Sequence, residues 1–151
     1  MSWGKIYETT LWGVRIENGW GGIYYSLGST GSTNLLENGD FSDGETGWTF
    51  NSGWTYSSEE AIFEDTVNSY LVSTTNLNSG TQYQVEFEIT EITGSARLAV
   101  YVGASKIVDF ENYSTGTHTR TFTSPNSLEF RFRASSTGGS FSLDNVILTE
   151  V

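Results

Sequence analysis

Asn34-Leu35-Leu36-Glu37-Asn38-Gly39-Asp40-Phe41-Ser42 is the stretch that decides the fold of this 151-residue chain. A Gly47-Trp48 pair follows it a few residues later. The chain closes with Phe141-Ser142-Leu143-Asp144-Asn145-Val146-Ile147-Leu148, in which an Asp-Asn-Val triplet sits inside an aliphatic strand pattern. The opening and closing motifs bracket a module that runs from residue 34 to residue 151.

The bracketed module resembles carbohydrate-binding modules of the family 4, 9 and 22 type. The resemblance implies an all-β fold, a jelly-roll sandwich of two antiparallel sheets, which binds glycans without cutting them. It covers residues 34–151 and leaves the first thirty-three residues unexplained. Because one fold serves many functions, it says more about architecture than about ligand.

Alternation of apolar and polar residues supports the same fold. Residues 82–89, 97–102 and 128–134 alternate with period two, as half-buried strands of antiparallel sandwiches do. Further strands are predicted near residues 54–56, 60–64, 69–74, 106–110, 117–123 and 140–149, separated by Gly-containing turn signals. No convincing helix is predicted, and Trp48 is expected to pack at the edge of the sandwich.

Composition excludes several functions. The formal charge is −11, so the chain has few cationic side chains to neutralise the phosphates of a nucleic acid. A nucleic-acid partner is therefore not expected. There is no Cys, and therefore no disulfide or thiolate metal site. No apolar run is long enough to span a bilayer, and no secretion signal is visible. The twelve carboxylates from Glu17 to Glu91, with no Lys or Arg among them, form either a solvated acidic surface, a cation site or a docking site for a basic partner.

Residues 1–28 form a predicted N-terminal arm, joined through a linker at residues 29–33 to the jelly-roll domain at 34–151. The motif W-G-x-I-Y occurs at Trp3–Tyr7 and again at Trp20–Tyr24, with Trp12 between the copies. So small and Gly-rich an arm cannot bury its own aromatics. We therefore expect the aromatic side chains of the arm to be buried against the sandwich, a sister subunit or another protein. The partner-anchoring residues would be Trp3, Tyr7, Trp12, Trp20 and Tyr24.

Catalytic residues are not predicted. His118 is the only histidine and is expected to be a satisfied surface residue. Adjacent carboxylates such as Glu59 and Glu60 point to opposite faces of a strand, so they are not arranged around one glycosidic bond. No nucleophile or phosphate-binding motif appears.

A structural calcium ion is implied by the resemblance, because related modules use one to pin the first strand to the last. Asp144 occupies the closing acidic position, but Ser42 stands where the family usually has an acid. Asp40 or Asp43 would substitute for that acid, with Glu64 or Asp65 as a further ligand. Calcium takes six or more oxygens, a number that these residues and backbone carbonyls could supply. The alternative is that Asp144 caps a turn or accepts backbone hydrogen bonds.

Glycan contacts would need aromatic and hydrogen-bonding side chains on a solvent-facing sheet. The candidates are Trp54, Tyr56, Tyr101, Arg131 and Arg133. The alternative is structural: Arg131 and Arg133 could pair across strands with Glu86 and Glu88.

The functional prediction is a non-catalytic structural or adhesion protein of a bacteriophage virion. In architecture the arm and linker resemble phage appendage and decoration proteins. The arm would bind other virion proteins, the chain would form a homo-oligomer, with a trimer as the guess, and the jelly roll would hold a polysaccharide at the virion surface. The alternative is an extracellular carbohydrate-binding module, free-standing or attached to an enzyme, without a virion role.

Overall fold

The computed structural model describes residues 15–17, 23–25, 33–64, 68–94, 96–136 and 138–151. For residues 15–17, 23–25, 96 and 136 only the backbone is described. The chain divides into two compact units, Met1–Ser32 and Thr33–Val151. Each unit is considered by itself below.

The first unit contains a short antiparallel pair of strands, β1 (Arg15–Glu17) and β2 (Ile23–Tyr25). Tyr24 lies in β2, and its backbone faces that of Ile16 in β1. The other predicted anchoring aromatics, Trp3, Tyr7, Trp12 and Trp20, lie outside the described residues.

The second unit is a sandwich of two antiparallel five-stranded sheets, which confirms the predicted jelly-roll fold. Its strands are β3 (Trp48–Phe50), β4 (Trp54–Ser57), β5 (Glu60–Glu64), β6 (Ser69–Asn76), β7 (Gln82–Thr93), β8 (Ala96–Val102), β9 (Ser105–Asn112), β10 (Gly116–Thr123), β11 (Glu129–Ser136) and β12 (Ser140–Glu150). Sheet I has the order β10-β7-β12-β5-β4, and sheet II has the order β3-β6-β11-β8-β9. The described residues include no helix long and apolar enough to cross a membrane.

The core lies between the two sheets and follows the alternation of the strands. In β11, Phe130, Phe132 and Ala134 are buried, and the intervening arginines point away from the core. Phe87 of sheet I meets Phe132 of sheet II edge to face, with 5.3 Å between ring centroids. Each fully buried Phe contributes about 1.5–3 kcal/mol relative to an exposed one, so contacts of this kind stabilise the sandwich.

Two details of the strand prediction were wrong. The three-residue strand β3 was missed because it is too short to show a period. Trp48, at its start, is buried at the edge of sheet II, as expected. Leu128 was counted with the apolar face of a strand, but it precedes β11 and is 45% exposed.

Asn34 joins the start of the sandwich to its last strand. Its Nδ2 donates a hydrogen bond to the carbonyl of Val146 (2.9 Å), and its Oδ1 accepts from the amides of Leu36 (3.1 Å) and Leu148 (2.9 Å). The amide of Val146 donates in turn to the carbonyl of Gly39 (2.7 Å). We call this group of contacts between residues 34–39 and 146–148 the latch.

A β-bulge in β12 exposes the groups that the latch uses. The register with β7 shifts between Asp144 and Ile147, and Asn145 has a φ of 49°. A bulge leaves a residue out of the ladder and bends the strand. Val146 can therefore offer both its N–H and its carbonyl to the opening stretch.

Asn38 organises the turn between the latch and Trp48. Its carbonyl accepts a hydrogen bond from Trp48 Nε1 (3.1 Å), and its side chain donates to the carbonyls of Gly44 (2.9 Å) and Thr46 (3.1 Å). The Trp48 ring packs on Phe41 at 5.5 Å between centroids. The opening stretch and the Gly-Trp pair therefore form one hydrogen-bonded turn.

Replacing Gly39 tests the latch. A Cβ at this position would lie 2.0 Å from the carbonyl oxygen of Val146, which is backbone and cannot rotate away. We expect Gly39→Ala to lower the free energy of unfolding by about 3 kcal/mol or more, measured by urea denaturation. Gly80→Ala is the control, because Gly80 has open space around it and only a φ of +80°, so it should lose roughly 1–2 kcal/mol. Equal losses in the two variants would contradict the latch.

Candidate functional site

The outer face of sheet II carries a cluster of arginines and aromatic rings. Alternation in β11 directs Arg131 and Arg133 away from the core, and the neighbouring strands β6, β8 and β9 add rings and one more arginine. We call this group the arginine–aromatic face; its members are Tyr70, Arg97, Tyr101, Phe110, Arg131 and Arg133. The pairings that bring it together are Arg133 with Tyr70 and Arg131 with Tyr101.

Arg133 lies at the centre of this face. Its guanidinium carbon is 5.3 Å from the ring centre of Tyr70, 5.7 Å from that of Tyr101 and 5.5 Å from that of Phe110. Its Nη1 donates a hydrogen bond to the hydroxyl of Tyr101 (3.1 Å). Cation–π contacts of this kind contribute about 0.5–1 kcal/mol each at exposed sites. Three rings around one guanidinium therefore hold the group in a fixed plane.

The two tyrosines of the face have different roles. Their rings meet edge to face at 5.5 Å, but Tyr101 is only 6% exposed and lies beneath the arginines. Tyr70 and Phe110 are half-buried and keep part of their rings in solvent. Tyr101 was predicted on the outward face, where it lies, but Tyr70 and Phe110 provide the accessible ring surface. Sequence reasoning missed both, although each lies in a predicted strand.

Buried donors without partners mark the same face. The Nε atoms of Arg131 and Arg133 are both buried and make no hydrogen bond to the residues that the structure describes. Arg131 Nη2 pairs with the carboxylate of Glu129, and this hydrogen bond holds the pKa of Glu129 below its usual value. Within the described residues Arg133 has no carboxylate partner.

Pairing of these arginines with Glu86 and Glu88 does not occur. Both glutamates lie in β7 of sheet I, whereas the arginines lie in β11 of sheet II. Glu88 accepts a hydrogen bond from Asn145 Nδ2 (2.9 Å), and Glu86 from Thr119 Oγ1 (3.5 Å). The predicted cross-strand ion pairs were wrong because alternation alone does not show which sheet a strand joins.

Trp54 and Tyr56 are on the core side of edge strand β4. Trp54 is 4% exposed, and its ring contacts Phe63 (5.2 Å) and Phe141 (5.5 Å). It cannot act as an exposed platform for a sugar, so that part of the prediction was wrong. Tyr56 is half-buried and packs against the same core.

The four carboxylates predicted as calcium ligands are not gathered into one group. Asp40 Oδ1 accepts hydrogen bonds from the amide (3.3 Å) and hydroxyl (3.0 Å) of Ser42. Glu64 pairs with Ser140, four positions before Asp144, which is roughly 13 Å along a strand. Asp43 is exposed, and its amide donates to Asn38 Oδ1 (2.9 Å). Among the described residues no three acidic or histidine side chains could hold a metal together. These four residues therefore do not form a calcium site by themselves. Asp65 lies outside the described residues, and calcium binding stays an untested prediction.

Asp144 instead accepts a hydrogen bond from the backbone amide of Asn145 (2.6 Å), as the alternative interpretation expected. Burial raises the pKa of its carboxyl above the usual value, and the nearby charges of Glu60, Glu88 and Asp40 raise it further. The ionised form of the Asp144 carboxyl is therefore less favourable in the folded protein than in the unfolded chain.

His118 is packed rather than freely exposed. Its ring lies 4.7 Å from that of Tyr113 and 5.7 Å from that of Phe87, and its Nε2 is 2.8 Å from the carbonyl oxygen of Ser114. The expectation of a surface position was therefore only partly right, since the residue is half-buried.

Comparison with solved structures shows the same fold in carbohydrate-binding modules. A family 16 carbohydrate-binding module matches 78% of this chain and 100% of its own, with a TM-score of 0.54 and 16% identity. A family 35 module from Paenibacillus barcinonensis matches 70% of this chain and 94% of its own, with a TM-score of 0.50 and 24% identity. No protein-family model and no curated protein sequence matches the chain. The fold is therefore that of carbohydrate-binding modules, as the opening and closing motifs predicted.

The same fold also occurs inside a phage protein. The enzymatically active domain of tailspike protein 4 of bacteriophage CBA120 matches 78% of this chain, with a TM-score of 0.54 and 15% identity. The match takes in only 21% of the tailspike chain. At this identity the likeness concerns the fold alone.

Replacing Asp144 tests both its charge and the calcium prediction. Because the folded pKa is raised, the stabilising contribution of Asp144 is present at acidic pH and is lost as the pH rises through the folded pKa. Asp144→Asn should therefore melt at a higher temperature than the wild type at pH 7, with a difference that shrinks toward pH 3. A variant that is less stable at pH 7 would contradict this account.

Thermal melts of the wild type and of Asp144→Asn in calcium and in chelator test the calcium prediction. A wild-type melting temperature that is the same in both would reject calcium binding. A rise in the wild-type melting temperature with calcium that is absent in Asp144→Asn would support it.

Proposed function

We propose that this chain is a non-catalytic adhesion protein whose jelly roll binds a polysaccharide through the arginine–aromatic face. The observation that carries the proposal is the cluster around Arg133, a guanidinium with no carboxylate partner among the described residues that lies beside the half-buried Tyr70 and Phe110 on the outer side of sheet II. Ring faces suit the apolar face of a pyranose, and oriented donors suit its oxygens. The carbohydrate-binding-module fold supports this function.

The proposed setting is a bacteriophage virion. Residues 1–28 would bind other virion proteins through Trp3, Tyr7, Trp12, Trp20 and Tyr24, since several large aromatics buried in a partner would contribute several kcal/mol, about 1.5–3 kcal/mol each. The occurrence of the fold within a phage tailspike chain agrees with this setting. Assembly as a homotrimer would add avidity to weak individual contacts.

The second candidate is a carbohydrate-binding module, free-standing or attached to an enzyme, without a virion role. It is favoured by the match to the whole length of a family 16 module. Both candidates use the same ligand face, and they differ in what residues 1–28 bind.

Replacing Tyr70 tests the ligand face. We expect Tyr70→Ala to weaken binding to a polysaccharide identified on a glycan array by roughly ten-fold, about 1.4 kcal/mol, because stacking surface beside Arg133 is lost. Isothermal titration measures the affinity. Tyr56→Ala is the matched control, since Tyr56 is also half-buried but lies in β4 of sheet I. A larger loss in Tyr56→Ala than in Tyr70→Ala would place the ligand elsewhere.

Deleting residues 1–28 tests the virion role. The truncated chain should fold and keep its polysaccharide affinity, because residues 33–151 form a separate compact unit. It should fail to join virions when expressed in phage-infected cells, as measured by immunoblotting of purified particles. Normal incorporation would reject the anchor, and absence of the full-length chain from particles would favour the second candidate.

A further inference from the structure

We infer that the polysaccharide is acidic: a carboxylate-bearing glycan rich in uronic acid, held by Arg133 and its neighbours. The inference rests on the proposed function, because both place the ligand on the arginine–aromatic face. It adds the chemical class of the ligand, which neither the fold nor the ring platform specifies.

Charge is distributed unevenly over the surface of this protein. The chain carries 18 acidic residues against 7 Lys and Arg. Four of those 7 lie on the outer face of sheet II: Arg97, Lys106, Arg131 and Arg133. The outer side of sheet I carries Glu86 and Glu88 instead. An acidic protein that collects its cations on one sheet creates a local site for anions.

The positive charge of this face is only partly paired with carboxylates of the described residues. Lys106 pairs with Asp109 (2.8 Å), and Arg131 pairs with Glu129. Arg97 and Arg133 have no carboxylate partner among the residues that the structure describes. Arg97 instead lies over Phe110 at 5.6 Å and donates to its carbonyl oxygen (3.0 Å). Within the described part of the chain, these two guanidinium groups are therefore not neutralised by an acidic side chain.

The geometry of the guanidinium groups also favours a carboxylate. The rings of Tyr70, Tyr101 and Phe110 hold Arg133 in one orientation, so little side-chain entropy remains to be lost on binding. A planar guanidinium binds a carboxylate with two parallel hydrogen bonds, which a neutral hydroxyl cannot reproduce. Arg131 of the same face already holds one carboxylate, that of Glu129, through its Nη2.

A sugar acid fits this face better than a second copy of the chain. Tyr70 and Phe110 are half-buried aromatic residues beside the charge, a combination that suits a pyranose carrying a carboxylate. A second copy would bring the acidic face of sheet I, where Glu86 and Glu88 already have hydrogen-bond partners. Nucleic acid is disfavoured by the formal charge of −11.

The experiment compares one polymer before and after removal of its charge. The full-length chain is titrated with polygalacturonate and with the same polymer after its carboxyls are reduced to alcohols, and then with dextran sulfate. We expect binding to polygalacturonate that weakens with salt and falls roughly ten-fold or more on the reduced polymer. This comparison of polymers uses only the wild-type chain, so it does not depend on how well a variant folds.

Variants then locate the effect. Arg133→Met should remove the preference for the acidic polymer, and Arg133→Lys should restore only part of it because the planar fork is lost. Arg120→Met is the matched control, since Arg120 pairs with Glu111 and lies on β10 of sheet I. Glu129→Gln should strengthen binding to polygalacturonate by freeing Arg131 from its internal carboxylate. Unfolding midpoints establish that each variant is folded.

The outcomes separate the inference from the function. Equal affinity for the charged and the reduced polymer would overturn the acidic ligand and leave polysaccharide binding intact. Preference for dextran sulfate would overturn the carboxylate in favour of a sulfate. Self-association that is salt-sensitive and lost in Arg133→Met would replace the glycan by a second copy. Binding to none of the polymers, nor to any glycan on an array, would remove the proposed function as well.

Discussion

The latch between Asn34, Gly39 and Val146 is the contact on which the sandwich depends. Residues 33–47 contain no strand, so side-chain and turn hydrogen bonds attach them to β12. They can do so because the bulge at Asn145 releases both polar groups of Val146 from the β7 ladder. A glycine is required at position 39, since any side chain would collide with the Val146 carbonyl. The motifs at the two ends of the module therefore form a single structural unit.

The arginine–aromatic face follows from the same architecture. Strand β12 pairs with both β5 and β7 and lies at the centre of sheet I, which packs on sheet II through contacts such as Phe87 on Phe132. Burial of Phe130, Phe132 and Ala134 leaves Arg131 and Arg133 no direction but outward. Neighbouring strands then supply rings on which the arginines lie. The buried core residues and the proposed ligand residues thus lie on opposite faces of one alternating strand.

Much of the fold was predictable because alternation is a local property. Strands β7, β8 and β11 show period two in the sequence. The same alternation indicates which side chains of each strand face the core. The neighbours of a strand are not local: nothing in residues 128–134 shows that β11 lies between β6 and β8 rather than beside β7. For this reason the partners of Arg133 were misjudged and Tyr70 was missed. The ion pair between Glu129 and Arg131 could have been predicted from the sequence, because residues two apart on a strand share a face.

The central claim is that the outer face of sheet II holds the ligand. Titration of the isotope-labelled chain with oligogalacturonate, followed by NMR, tests it most directly. The account predicts chemical-shift changes confined to the strands that carry Tyr70, Phe110 and Arg133, including the guanidinium Nε–H signals of Arg131 and Arg133. Changes centred on Tyr56 or on Glu86 and Glu88 of sheet I would contradict it.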